Sequence, residues 1–451
     1  MRHISPSAPT APAPADRTPH ARPSRRVVLG GATAATTAAL GALAGATAPQ
    51  AQAAAARNVS LYRCQGAALS GGTHTGTAYA GGYQTLARPA GRTTYTDPYA
   101  SRTTRTYDYA YWTTGWATPG FAFTQLVASW RAFTPSGSWI SYWVQGLTTS
   151  GATTAWFSMG RWSQMTSGSP TRMSVNGQGD AFASIATDTL KARTGYSFKS
   201  FRIRVYLYRP TGTTGTPRLA SAAAMTSSVP TGSAVSVPVS PVGVGRGIDL
   251  AVSTYSQMNH VGHYPSWNGG GEAWCSATSL AMVLDYWKVG ASTTESSWVR
   301  PTPHTNPQVD HTVSQVFDYA YDGSGNWPFN TAYAATRGLD AFVTRLRTLT
   351  EAEQFIRAGI PLVVSTSFTS SQLTGAGFGT NGHLMVIRGF DSAGNVIVND
   401  PASAMKASNA LVRKVYNRAQ FENAWARSGG TTYVLRAWSR ALPAAPAQRN
   451  W

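Results

Sequence analysis

Between about Arg57 and Val244, apolar and polar positions trade places over short runs. The segment Phe201-Arg202-Ile203-Arg204-Val205-Tyr206-Leu207-Tyr208 has a period of two, which places one face of a strand in a core and the other outside. Comparable runs at 121–132, 138–146 and 154–162 are separated by Gly, Ser, Thr and Pro. Helical periodicity is missing there, and the pattern predicts an all-β, sandwich-like accessory domain over 57–244. The stretch 226–244, rich in Ser, Val and Pro, reads as a linker or a domain-edge strand. Beyond it the texture changes. Helices are expected at 275–288, 311–321, 330–337 and 350–358, the last with a capping box of Thr350 and Glu353 and a stop at Gly359. Strands are expected at 361–367, 384–390 and 395–399. Helices first and strands later describe an α+β domain, over 246–440.

Composition narrows this picture. A chain of 451 residues suits two domains, and 42% hydrophobic with 11% aromatic content excludes wholesale disorder. No apolar run suits a membrane span in the mature chain. Two cysteines exclude a disulfide-dense scaffold and a four-thiolate zinc site. The formal charge is +19, carried almost wholly by Arg, since only five of the basic residues are Lys.

Residues 1–53 are set apart as a targeting segment. They combine a polar start, the pair Arg25-Arg26 before Val27-Val28-Leu29, a weakly apolar Ala/Gly run and a small-x-small site at Ala51-Gln52-Ala53. This resembles a twin-arginine signal and implies passage through the twin-arginine translocase to a secreted or cell-wall-associated location. Removing it leaves a charge of +15, which favours anionic wall polymer. Trp112, Trp116, Trp130, Trp139, Trp143, Trp156 and Trp162 are expected chiefly in the β core. Any that are exposed would suit stacking on a glycan.

Candidate chemistry gathers in the second half. Cys275 follows the Gly269-Gly270-Gly271 run and precedes a helix whose Leu280, Val283, Leu284 and Trp287 share one face. A thiol at a helix N-terminus meets unpaired N–H groups that favour the thiolate and an oxyanion beside it. Asp391-Ser392-Ala393-Gly394 joins two apolar runs as a hairpin. If Phe390 pairs with Asn395, Met385 lies opposite Asp400, and His383 and Asp400 share a face as diagonal neighbours. That is the geometry a general base and its orienting carboxylate need. Gln257, upstream, is an amide able to donate to an oxyanion.

The order of these elements carries a resemblance. Gln257, then Gly-Gly-Gly-Glu-Ala-Trp-Cys275, then Gly382-His383 before an apolar strand, then Asn399-Asp400-Pro401, resembles the bacteriocin-processing (double-glycine) peptidase-like branch of the papain-like cysteine peptidases. The resemblance covers roughly 246–415. It implies Cys275 as nucleophile, His383 as general base, Asp400 as its orienting residue and Gln257 as oxyanion donor. Trp274 stands where many relatives carry Asp or Gly. The implied activity is hydrolysis of a peptide, or of a cell-wall peptide, without a cofactor. A non-catalytic envelope-binding protein on the same scaffold is the alternative.

Other signals are weaker. His260-x-x-His263 offers two metal ligands but no evident third, so no metal is expected. His304 and His311 are expected to face solvent from a polar loop, and Asp310, His311 and Asp318 to cap or solvate a helix. A Cys64–Cys275 disulfide would abolish the catalytic reading. Scattered Arg residues and the lack of a phosphate-binding Gly loop argue against nucleic acid.

Overall fold

The structure, a computed structural model, describes residues 56–135 and 137–451. The 1–53 segment with Arg25-Arg26 lies outside the described residues. From Asn58 to Ser228 the chain is all β, in two antiparallel sheets that face each other across a common core. The long strand Phe198–Pro210 shows why. Phe201, Ile203, Val205 and Leu207 are buried, while Arg202, Arg204, Tyr206 and Tyr208 line the opposite, half-exposed face. It pairs with Thr104–Thr113 on one side and Trp139–Thr148 on the other. In the second sheet, Arg218–Ser228 is central, between Gln125–Phe133 and Asn58–Gln65. Trp112, Trp130, Trp139 and Trp162 are buried, as expected of core residues. Trp116, Trp143 and Trp156 are not.

The stretch 229–247 is no strand. It crosses the second domain in extended form, its N–H groups donating to Glu422 from Ser240 and to Glu353 from Gly245. The Arg418 guanidinium answers by donating to the Ser240 and Pro241 carbonyls.

The second domain sets helices α1 (Cys275–Tyr286), α2 (Gln308–Val316), α3 (Trp327–Thr336), α4 (Leu349–Arg357) and α5 (Arg418–Arg427) around a third antiparallel sheet. Among the described residues no helix is long and apolar enough to cross a membrane. α2 and α3 begin three residues earlier than their patterns predict, at Gln308 and Trp327. The helix is capped by Thr348 with Glu351, not by Thr350 with Glu353: Thr348 Oγ1 accepts from the Glu351 N–H at 3.2 Å, and the Glu351 carboxylate accepts from the Arg347 N–H at 2.7 Å. Glu353 instead faces inward and pairs with Arg418 at 2.8 Å. Strands Asp340–Arg345, Arg413–Tyr416 and Thr431–Arg436, and helix α5, add to the expected set.

The two domains share one apolar core. Phe329 of α3 lies against Trp130 and Trp162, with ring centroids 6.0 and 5.6 Å away. Fully buried Arg172 donates to the Ser314 and Gln315 carbonyls. Asp318, expected as a helix cap, accepts instead from the Ser174 N–H of the β domain.

Candidate active site

α1 is the axis of the site. The sequence predicts one buried stripe, but every residue from Ser276 to Leu284 is buried. The helix packs on the strand Thr380–Phe390, with Ser279 Oγ donating to the Leu384 carbonyl at 3.0 Å and Ser276 Oγ 3.0 Å from the Tyr433 hydroxyl. No side chain caps its N-terminus. Its first residue is Cys275, half-buried and unbridged, at the floor of a cleft of about 300 Å³. Cys64 is also free, so the disulfide is not formed.

The hairpin brings His383 and Asp400 together by a register that corrects itself. Phe390 pairs with Val396, one residue off the expected match. A bulge at Arg388 absorbs the offset, so Val386 pairs with Asn399, the alignment that the predicted register requires near the site. His383 Nε2 then lies 2.7 Å from Asp400 Oδ1. With Nε2 committed to the carboxylate, Nδ1 is the ring nitrogen left for the thiol. Asp400 Oδ2 accepts from the Tyr416 hydroxyl at 2.8 Å, and Oδ1 from the Ala402 N–H at 3.0 Å. Phe378 meets the His383 ring edge-on, with centroids 5.2 Å apart.

Gln257 opens a short turn, Gln257–His260, that is held from two sides. Its N–H donates to the Pro401 carbonyl at 2.9 Å, while Ser256 Oγ bonds Ser403 at 2.6 Å. On the other side Gly271 presses close; a Cβ there would sit 2.2 Å from the Gln257 carbonyl oxygen. The buried Gln257 amide donates one N–H to the Glu272 carbonyl at 2.8 Å, and its nitrogen carries a second. All four expected residues therefore line or support one cleft, with Gly269, Glu272, Tyr321, Gly323, Phe378 and Met405 completing its wall.

Electrostatics favour an ion pair. Burial alone would raise the Cys275 thiol, but the His383 hydrogen bond and charge, with the Leu384 and Ser276 N–H groups, outweigh it and hold the thiol below its ordinary value. Burial would lower His383; the Asp400 charge and hydrogen bond, then Cys275, raise it well above the usual imidazole range. Burial also opposes ionisation of Asp400, and His383, Tyr416 and the Ala402 N–H prevail and hold it low. Tyr416 itself is driven up, first by burial and then by that carboxylate. Such an arrangement offers a nucleophile, a proton carrier and its orienting group.

Sequence pattern does not single out Tyr416 or Phe378. Tyr416 ends a four-residue strand too short to register as a pattern. The histidines outside this cleft depart further from expectation. Asp310 is fully buried, and its oxygens face His260 Nδ1 at 2.8 Å and His263 Nδ1 at 3.1 Å. His304 Nε2 lies 2.8 Å from His263 Nδ1, so the loop histidine points inward. His311 is buried too, with Nδ1 3.0 Å from the Glu295 carbonyl.

A thiol at a helix start, an imidazole and a buried carboxylate, in that order on an α+β domain, are the parts of a cysteine peptidase of the papain-like kind. Residues 249–433 match the Peptidase_C39 like family and residues 61–227 match the Peptidase C39 N-terminal domain, and the chain belongs to this C39 papain-like family. Among solved structures, a C39-like peptidase from Bacillus anthracis shares 20% identity over 42% of this chain and 96% of its own, with a TM-score of 0.26. No curated protein matches the chain.

Proposed function

We propose that this protein is an exported cysteine peptidase acting through Cys275, His383, Asp400 and Gln257. The observation that carries the reading is the 2.7 Å His383–Asp400 bond beside a thiol held below its ordinary value by the same ring. The Cys275 thiolate attacks the carbonyl carbon of the scissile peptide. Its C–S bond forms as the carbonyl π pair moves to oxygen, where the Gln257 amide and the Cys275 N–H receive it. Collapse expels the amine, which takes the proton from His383. Water then gives a proton to His383 as it adds to the thioester, and the acid departs with the thiolate regenerated. Asp400 keeps Nδ1 aimed at sulfur throughout. Gly269, Gly323, Gly325 and Gly382 along the cleft favour an extended backbone with small side chains.

The export half of the reading rests on Arg25-Arg26 and the run up to Ala53. For the β domain, the outer face of Phe198–Pro210 supports contact with anionic polymer or glycan. Arg202 stacks on Trp116 and Trp156 at 4.8 and 5.1 Å, and Arg204 on Trp156 at 4.2 Å. The test is cleavage of a peptide library by the purified chain, with Cys275→Ala as its partner. Cleavage that disappears in the variant supports the peptidase. Equal cleavage by both overturns the mechanism, and an inert wild type with wall binding intact favours the envelope-binding scaffold.

A further inference from the structure

Outside the lining of the cleft lies a second polar cluster that the peptide chemistry does not use. His260, His263, His304 and Asp310 each offer one donor atom within a group no wider than 4.8 Å. They come from three stretches of chain: the turn bearing Gln257, the loop before α2, and the first turn of α2. His260 and Asp310 are fully buried.

Hydrogen bonds alone do not satisfy this group. His263 Nδ1 is 3.1 Å from Asp310 Oδ1 and 2.8 Å from His304 Nε2. One N–H cannot serve both. His304 Nε2 is also 3.2 Å from His263 Nε2, so both nitrogens of one ring crowd a single nitrogen of another. The sole carboxylate of the cluster already faces two rings, and His260 Nε2 is buried with no hydrogen-bond partner. Buried imidazole nitrogens that converge without enough protons or acceptors are what a cation satisfies.

We infer that His260, His263, His304 and Asp310 form a binding site for a divalent transition-metal ion of the zinc class. Three imidazoles and one carboxylate match the borderline ligand preference of Zn²⁺ and disfavour Mg²⁺ and Ca²⁺, which take oxygen. The site is structural. None of its four residues lines the Cys275 cleft, and the buried Trp274 ring stands beside it, its centroid 6.1 Å from that of His260. That contact gives the unusual Trp before the cysteine a purpose. Val261 pairs with Gly270, so the ion would clamp the Gln257 turn to the Gly-rich loop and to α2 at once. The inference stands whether or not Cys275 turns over.

The experiment uses the full chain carrying Cys275→Ser, so that the catalytic thiol cannot bind metal itself. After chelation and desalting, Zn²⁺ is titrated against a chromophoric chelator and Co²⁺ is followed by its visible d–d absorption. We expect about one equivalent of either ion, a Co²⁺ spectrum without thiolate charge transfer, and affinity at least ~100-fold weaker in His263→Ala/His304→Ala. Because that variant could misfold, the unmodified ligand set is also tested by melting. Zn²⁺ should raise the Tm of the chelated protein, and Mg²⁺ at the same concentration should not. Binding below ~0.1 equivalent, a Tm indifferent to Zn²⁺, or equal binding by the folded double variant overturns the site.

Discussion

Two buried aspartates in this protein do the same thing to begin with and end in different chemistry. Asp400 takes His383 by one ring nitrogen at 2.7 Å, and Asp310 takes His260 by one ring nitrogen at 2.8 Å. What differs is the neighbour of the second nitrogen. Beside His383 stands a thiol at an uncapped helix end, with a cleft above it. Around His260 stand two more imidazoles, both half-buried, and a buried indole. A carboxylate–imidazole pair is therefore a base or a ligand according to its third partner. A proton donor and open space make it a proton carrier; more lone pairs make it a metal ligand.

That contrast can be broken at several points. The largest effect should come from removing the thiol or its ring: Cys275→Ala should lower peptide hydrolysis by about 10⁴–10⁶-fold at unchanged Tm, and His383→Ala by as much with a lowered Tm, because the buried Asp400 carboxylate loses its charged partner, both measured on the best library substrate. Asp400→Asn should hurt roughly 10²-fold less, since it orients rather than reacts. Gln257→Ala should cost about 10²–10³-fold in kcat, the usual effect of one oxyanion donor, while leaving the alkylation rate of Cys275 unchanged. His304→Ala should spare the thiol, with Cys275 alkylation altered less than about threefold and the Tm lowered. If it silences the thiol as fully as His383→Ala does, the two clusters are one. Tyr416→Phe deprives the Asp400 carboxylate of a buried donor, and urea unfolding should show about 1.5–3 kcal/mol lost.

How legible is this in the sequence? The strand Phe198–Pro210 and the Cys275 helix start can be read directly, because period-two burial and a Gly-rich loop before an apolar helix are local signals. The His383–Asp400 pairing is legible through a register that is wrong at the turn and right at the site. The bulge at Arg388, which makes both true, leaves no local mark. Local pattern misplaces the cap by two residues because Glu353 and Glu351 lie on one helix, and only tertiary pairing with Arg418 decides which turns inward. Asp310 and His304 read as solvent-facing since polar loops usually are. They become partners of His260 and His263 through contacts 50 and 41 residues apart in sequence, beyond any periodicity. The shared core of the two domains is hidden for the same reason: Trp130 and Phe329 each look like a core residue of their own half.

The central claim is that His383 holds Cys275 as a thiolate, and it can be read without knowing the substrate. The measurement is the rate of iodoacetamide alkylation at Cys275 against pH, resolved by peptide mass mapping in the wild type and in His383→Ala. A thiol held below its ordinary value ionises early as pH rises, so the wild-type rate should reach half its plateau below the free-cysteine midpoint of about 8.5. Hydrolysis should follow the same rise and then fall as pH passes through the raised value of His383, which must give up a proton to the leaving amine. Cys64, buried and pushed up to about 11, should stay unlabelled across that range. In His383→Ala the Cys275 midpoint should move upward. A wild-type midpoint at or above the free-cysteine value, unmoved by His383→Ala, would contradict the account.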